Sequence, residues 1–242
     1  MQIITTVNQK GGTGKTATAA ALAQAAAHNG RKVLAIDLDP QCNLSFALDA
    51  AGGGTSLNLL EGTPARRIIQ TINAVDLIPA SWSLATLKSA PGSAKRLEKA
   101  LQPVKSKYDL IIIDTPPTVG ELQYNALQAS TGLLIPLQAD IYSLKGLYQI
   151  ADTAAQFKKS NPTLTIKGVI ITRFNGRSTI AKQMQQTIVD TAASLNIPFL
   201  GTIREGIAVQ EAAALKANLF EYAPASKPAQ DYMQLYKTIM ED

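Results

Sequence analysis

The 242-residue chain has a single cysteine, Cys42. That excludes an internal disulfide and any Cys-x-x-Cys redox or metal motif. No apolar run approaches the roughly 20 residues needed to cross a bilayer. Met1-Gln2 passes directly into a strand-like segment, with no room for a signal peptide, so a cytoplasmic protein is expected. Charge is also sparse. Charged residues make up 17% of the chain against 46% hydrophobic, so disorder is not the default and there is enough apolar material for a sizeable core. The net charge of +5 permits an anionic partner, yet residues 151–242 scatter ten cations among eight acids and form no basic arm.

What the chain does contain is alternation. Strand-length apolar runs at 2–7, 33–37, 75–79, 108–114, 132–137, 166–172 and 199–203 alternate with helical patterns at 15–29, 64–72, 93–105, 121–129, 143–159, 178–195 and 227–240. Runs such as Leu110-Ile111-Ile112-Ile113 suit strands buried on both faces. The expectation is an α/β fold: one doubly wound, mostly parallel sheet with helices on both faces, forming a single domain over 1–242. Ligands would bind beyond the carboxyl ends of its strands. Residues 50–55, Ala-Ala-Gly-Gly-Gly-Thr, read as a flexible loop.

Between the first strand and first helix lies Asn8-Gln9-Lys10-Gly11-Gly12-Thr13-Gly14-Lys15-Thr16. A glycine-rich turn here presents backbone N–H groups to phosphate at the positive end of the helix. Lys15 would reach the β- and γ-phosphates and Thr16 would place its hydroxyl on Mg²⁺. The usual first glycine of a phosphate loop is replaced by Gln9, and a second lysine, Lys10, precedes Gly11-Gly12.

Lys-Gly-Gly-x-Gly-Lys-Thr resembles the deviant Walker A loop of the ParA/MinD superfamily, in its P-loop NTPase fold. The chain resembles the short, Soj-like type over essentially its whole length. The resemblance implies ATP and Mg²⁺ as cofactors, with nucleotide held by Lys10, Gly11, Gly12, Thr13, Gly14, Lys15, Thr16 and Ala17. It also implies that Lys10 crosses a dimer interface to the partner's nucleotide and shares catalysis with Lys15. The segment Asp37-Leu38-Asp39-Pro40-Gln41-Cys42-Asn43 resembles the family's first switch, in which Asp39 orients the attacking water and Asp37 supports the metal's water shell. Cys42 replaces the family's usual glycine, and a positive φ there would strain it. Leu110–Asp114 resembles a Walker B strand, with Asp114 on the metal side, and Thr115-Pro116-Pro117-Thr118-Val119-Gly120 resembles the second switch. Thr16, Asp37 and Asp114 are thus the expected metal-side residues.

Further along, Ile170–Ser178 resembles a strand leading to adenine-side and DNA-facing residues. Arg177 aligns with an arginine that Soj-like proteins use on nonspecific DNA, with Lys182 one turn on. Ile203-Arg204-Glu205 and Glu211-Ala212 resemble the region that closes over the base, with Arg204 where relatives carry proline. The lone cysteine argues against the family's iron–sulfur members. His28 reads as a helix-end residue, Trp82 as a core or dimer-face residue. The last helix reads as a packing helix rather than a MinD-type membrane tail, so no stable membrane binding is expected.

The resulting expectation is a weak intrinsic ATPase that segregates DNA. It forms an ATP-sandwich homodimer, binds nonspecific DNA at the nucleoid, and is reset when a ParB-like centromere-binding protein or cargo adaptor stimulates hydrolysis. Alternatives are an ATPase that positions a protein cargo such as carboxysomes or chemotaxis clusters, a MinD-like division-site regulator, and a P-loop metabolic ligase.

Overall fold

The structure is a computed structural model and describes residues 1–241. The elements run β1 (Gln2–Thr6), α1 (Lys15–His28), β2 (Val33–Asp37), α2 (Asn43–Ala47), α3 (Ser56–Leu60), β3 (Gln70–Ile72), β4 (Val75–Ile78), α4 (Arg96–Leu101), β5 (Leu110–Asp114) and α5 (Glu121–Ala129). They continue with β6 (Gly132–Leu137), α6 (Ile141–Phe157), β7 (Thr165–Phe174), α7 (Thr179–Ser194), β8 (Phe199–Arg204), α8 (Ala208–Ala214), α9 (Leu219–Tyr222) and α10 (Lys227–Glu241). The eight strands form one sheet in the order β3-β4-β2-β5-β1-β6-β7-β8. Only the β3–β4 pair is antiparallel, so the α/β class with a mostly parallel sheet holds.

Successive residues of a strand face opposite sides of a sheet, and the core divides accordingly. Ile4 and Ile112 pack with α1 and α10, whereas Ile3, Ile111 and Ile113 pack with Leu59, Leu97 and Leu101 on the other face. A third cluster lies under α6 and α7, around Leu133, Ile135 and Ile171. Helix α1 is nearly all alanine from Ala17 to Ala27, and the absence of bulk lets it lie close to the sheet beneath α10. The stripe of Tyr232, Leu235, Tyr236 and Ile239 buries α10 against that layer, which makes it a packing helix as expected. His28 ends α1 with its ring 6.0 Å from that of Phe220.

One expectation fails. Residues 64–72 are not a helix: a 3-10 turn covers Ala65–Arg67 and β3 follows, paired back onto β4. The turn between them puts Asn73 at φ 47° and Ala74 at φ 63°. This is the left-handed pair a two-residue hairpin needs. The helix expected over 93–105 is also shorter, a 3-10 turn at Ser93–Lys95 leading into α4.

Candidate functional site

Strand β1 lies between β5 and β6, where the chain's path over the sheet changes direction, the place such sheets bind ligands. A cavity of about 720 Å³ opens there, lined by residues 11–17, by Asp39 and Gln41, and by residues 203–207. Gly12 and Gly14 take φ 74° and 85°, the left-handed region that favours glycine. Gly14 caps α1 directly. A Cβ on it would also stand 3.2 Å from the Thr172 side chain.

The loop is pinned from the neighbouring strands. Thr172 Oγ1 lies 2.8 Å from the Thr13 carbonyl oxygen, and Gln138 Nε2 donates to the Gly12 carbonyl at 3.0 Å. Asn8 donates to the Pro136 carbonyl at 2.7 Å and accepts from the Lys10 amide at 2.9 Å. Lys15 curls back so that Nζ donates to the Lys10 carbonyl at 3.3 Å. Burial lowers its pKa, against the pull of Asp114 and Asp39.

The carboxylates converge behind this loop. Asp37 and Asp114 are register neighbours on β2 and β5 and both are buried. Asp114 accepts from Thr16 Oγ1 at 2.6 Å and from Thr6 Oγ1 at 3.2 Å. Asp37 accepts from the Ser45 amide and hydroxyl at 2.8 and 2.7 Å and from the Asp39 amide at 3.0 Å. It therefore also holds the turn that carries Asp39. Burial raises the pKa of both Asp37 and Asp114, and for Asp114 the neighbouring Asp37 adds to the rise. Asp39 accepts from the Gln41 amide at 2.9 Å and faces the cavity. Cys42 takes φ 56°, the strained conformation its replacement of glycine foreshadows.

The donor set fits a nucleotide with Mg²⁺. Among the described residues no group of three or more His, Cys, Asp and Glu side chains could hold a metal alone. Magnesium retains waters and is commonly shared between one or two protein oxygens and phosphates, and Thr16 with Asp114 supplies that kind of partial set.

Lys10 is not part of the cavity wall. Its ammonium pairs with Asp140 at the start of α6 and sits 5.7 Å from the centre of the Tyr142 ring. Burial alone would raise Asp140, but the hydrogen bond and charge of Lys10 hold its carboxyl below the ordinary range. Arg177 and Lys182 are both exposed, in the turn after β7 and the first turn of α7. Among the described residues neither is ion-paired.

Three long-range contacts at the site were not read from sequence: Thr172 to the phosphate loop, Asp140 to Lys10, and Asp231 to Arg204. Arg204 lines the cavity, but its guanidinium donates to both Asp231 oxygens, at 2.7 Å from Nη2 to Oδ1 and 2.9 Å from Nε to Oδ2. The pair ties the cavity wall to α10. A polar residue closing the apolar run Val169-Ile170-Ile171 was a visible signal for Thr172.

Comparison with known proteins gives a consistent result. A family model described as an AAA domain matches residues 1–166. The chromosome-partitioning ATPase Soj of Thermus thermophilus is 33% identical over 240 residues, covering 98% of this chain and 94% of that protein. Cyanothece McdA in complex with ATP superposes with a TM-score of 0.85 at 25% identity, covering 97% of this chain and 96% of that one. A Mycobacterium smegmatis protein described as cobyrinic acid a,c-diamide synthase, with an ATP analogue and magnesium bound, also gives 0.85, at 26% identity, covering 100% and 95%.

Proposed function

We propose a working cycle for this chain from one premise: it belongs to the ParA/MinD superfamily of deviant Walker A ATPases, in its Soj-like branch, and is a partition-type ATPase that uses ATP and Mg²⁺. The amides of residues 11–16 and the N-terminus of α1 bind the phosphates. Lys15 neutralises their charge. Thr16 and Asp114 would hold the metal side and Asp37 would support its waters, while Asp37 fixes the first switch through Ser45 and the Asp39 amide. Asp39 orients the attacking water. When bound, Mg²⁺ offsets the charge that develops on the phosphate oxygens.

Lys10 acts on the other subunit. The observation that carries this reading is the direction of its side chain, which leaves its own cavity for Asp140 at the protein surface. The two partners are 36% and 31% exposed, and a pair that open to solvent is worth only about 0.2–1 kcal/mol. It can be exchanged for a phosphate presented by a second copy at little cost. ATP then sets oligomeric state, because the γ-phosphate supplies contacts that exist only in the dimer.

The dimer binds nonspecific DNA through Arg177 and Lys182 and acts at the nucleoid in the cytoplasm. A ParB-like or adaptor protein stimulates hydrolysis and resets it. The whole described chain serves as one ATPase domain. The similarity to McdA supports a second reading, in which the same cycle positions a protein cargo.

Analytical ultracentrifugation with ADP and with a slowly hydrolysed ATP analogue tests the cycle. Wild type should dimerise only with the analogue, and Lys10→Ala should stay monomeric while retaining much of its nucleotide affinity. A monomeric wild type in both states, or a Lys10→Ala variant that dimerises normally, removes the sandwich dimer and shifts the weight to a metabolic P-loop enzyme.

A further inference from the structure

We propose that the cleft between α3 and α4 is a second binding site, and that its occupant is an acidic peptide segment of a protein partner carrying one or two aliphatic side chains. The first observation is where the chain keeps its charge. Residues 61–107 hold eight lysines and arginines against three carboxylates, an excess of five that equals the net charge of the whole chain. The remainder of the molecule is neutral in sum. An excess so localised creates a field over one region rather than a general solubilising charge.

The second observation is a concave receptor within that region. A cleft of about 690 Å³ lies between the segment running from α3 through the following 3-10 turn and the segment from α4 to Lys107. None of its lining residues lines the nucleotide cavity. Leu59, Leu60 and Val104 form its floor, continuous with the apolar core beneath. Pro103 stands exposed at its edge.

Four cations, Arg66, Arg96, Lys99 and Lys107, rim the cleft, facing a single carboxylate, Glu61. Among the described residues none of the four is ion-paired. Arg96 is held in place by donating from Nη1 to the Lys88 carbonyl at 3.2 Å. Arg66, Lys99 and Lys107 are exposed, with their charges free to meet a ligand.

An apolar floor inside a cationic rim selects the occupant. Duplex phosphates are carried on a stiff convex backbone, gain from any accessible cation and obtain nothing from a recessed leucine floor. A peptide can place aliphatic side chains on Leu60 and Val104 while its carboxylates meet the rim, as amphipathic segments do in grooves. Rim charges of this kind set encounter rate and partner choice more than they set affinity. The site is independent of the nucleotide cycle and stands or falls separately from it.

Fluorescence anisotropy of the full chain with ADP tests the proposal. The probes are a short fluorescein-labelled peptide of aspartate and glutamate with two leucines, the same peptide with the leucines replaced by serine, and a short labelled DNA duplex. Wild type should bind the leucine-containing peptide, and the double variant Arg66→Glu/Lys99→Glu should lose about tenfold or more, since each reversal turns an attraction into a repulsion. The charge-keeping variant Arg66→Lys/Lys99→Arg should retain binding, and the serine peptide should bind several-fold more weakly. Equal peptide binding by wild type and the reversed variant overturns the proposal. So does equal binding of the two peptides, or a loss of DNA affinity in the reversed variant as large as the loss for peptide, which would make this a DNA surface.

Discussion

Replacing Cys42 tests the strain at the first switch directly. At φ 56° and ψ 28° the residue sits in the left-handed region at the start of α2, which costs a residue bearing a Cβ about 1–2 kcal/mol. Its thiol makes one weak contact, with Sγ 3.4 Å from the Pro40 carbonyl, and packs partly on the apolar layer that includes Leu38 and Leu59. Comparing Cys42→Gly with Cys42→Ala cancels the loss of that sulfur, since both remove it. What remains is the Cβ penalty that only alanine retains, offset by glycine's larger unfolded-state entropy of about 0.5–1 kcal/mol. Glycine should therefore be the more stable of the two by about 0.5–1 kcal/mol. At roughly 2–4 °C per kcal/mol for a chain of this size, that is a Tm difference of about 1–4 °C. Guanidinium and thermal unfolding of the two variants without nucleotide measure it. The Cys42 amide donates to the Asp39 carbonyl at 2.9 Å, so the relaxed glycine variant should also turn over ATP no more slowly than wild type. An alanine variant equal to or more stable than the glycine variant would refute the strain argument.

Three further outcomes are expected. Asp39→Ala should keep ATP affinity and accumulate a stable ATP dimer by size exclusion, with phosphate release down about a hundredfold or more, as loss of a water-orienting carboxylate demands; a monomer with normal turnover would sink its assignment. Arg177→Glu should weaken binding to all duplex sequences alike and lower the salt slope by about one or more per subunit, with DNA-free ATPase turnover unchanged; sequence-selective loss would contradict phosphate contact. Burial raises Asp37 and Asp114 above the ordinary carboxylate range, so at pH values above about 4 the folded chain binds protons that the unfolded chain has lost. Stability without nucleotide should then fall as pH rises from that range through the raised values, and Asp114→Asn should flatten the dependence of Tm on pH; a Tm that climbs between about pH 5 and pH 8 in wild type and is unaltered in the variant would oppose it.

Legibility followed the range of each interaction. The phosphate loop is read from contiguous residues because its function is local: left-handed glycines, a helix N-terminus and two lysines within seven residues, Lys10–Thr16. The two-faced burial of β5 is local in the same sense, since four successive apolar residues leave no polar side to turn outward. The β3–β4 hairpin escaped because its turn uses Asn73-Ala74, where a glycine in the second position would have announced it. The short helices α2, α3, α8 and α9 span four to seven residues each, too few turns for a periodic apolar pattern to emerge. At the site, the unread contacts are those the sheet creates. Thr172 reaches Thr13 only because β7 and β6 run side by side past the loop, and Asp140 meets Lys10 only because β6 places the start of α6 beside β1. The Arg204–Asp231 pair adds a further consequence. A proline at position 204, which the resemblance to Soj-like chains leads one to expect there, could not donate to Asp231, whereas Arg204 fastens the cavity wall to α10 through its amide and a charge-assisted contact from its guanidinium.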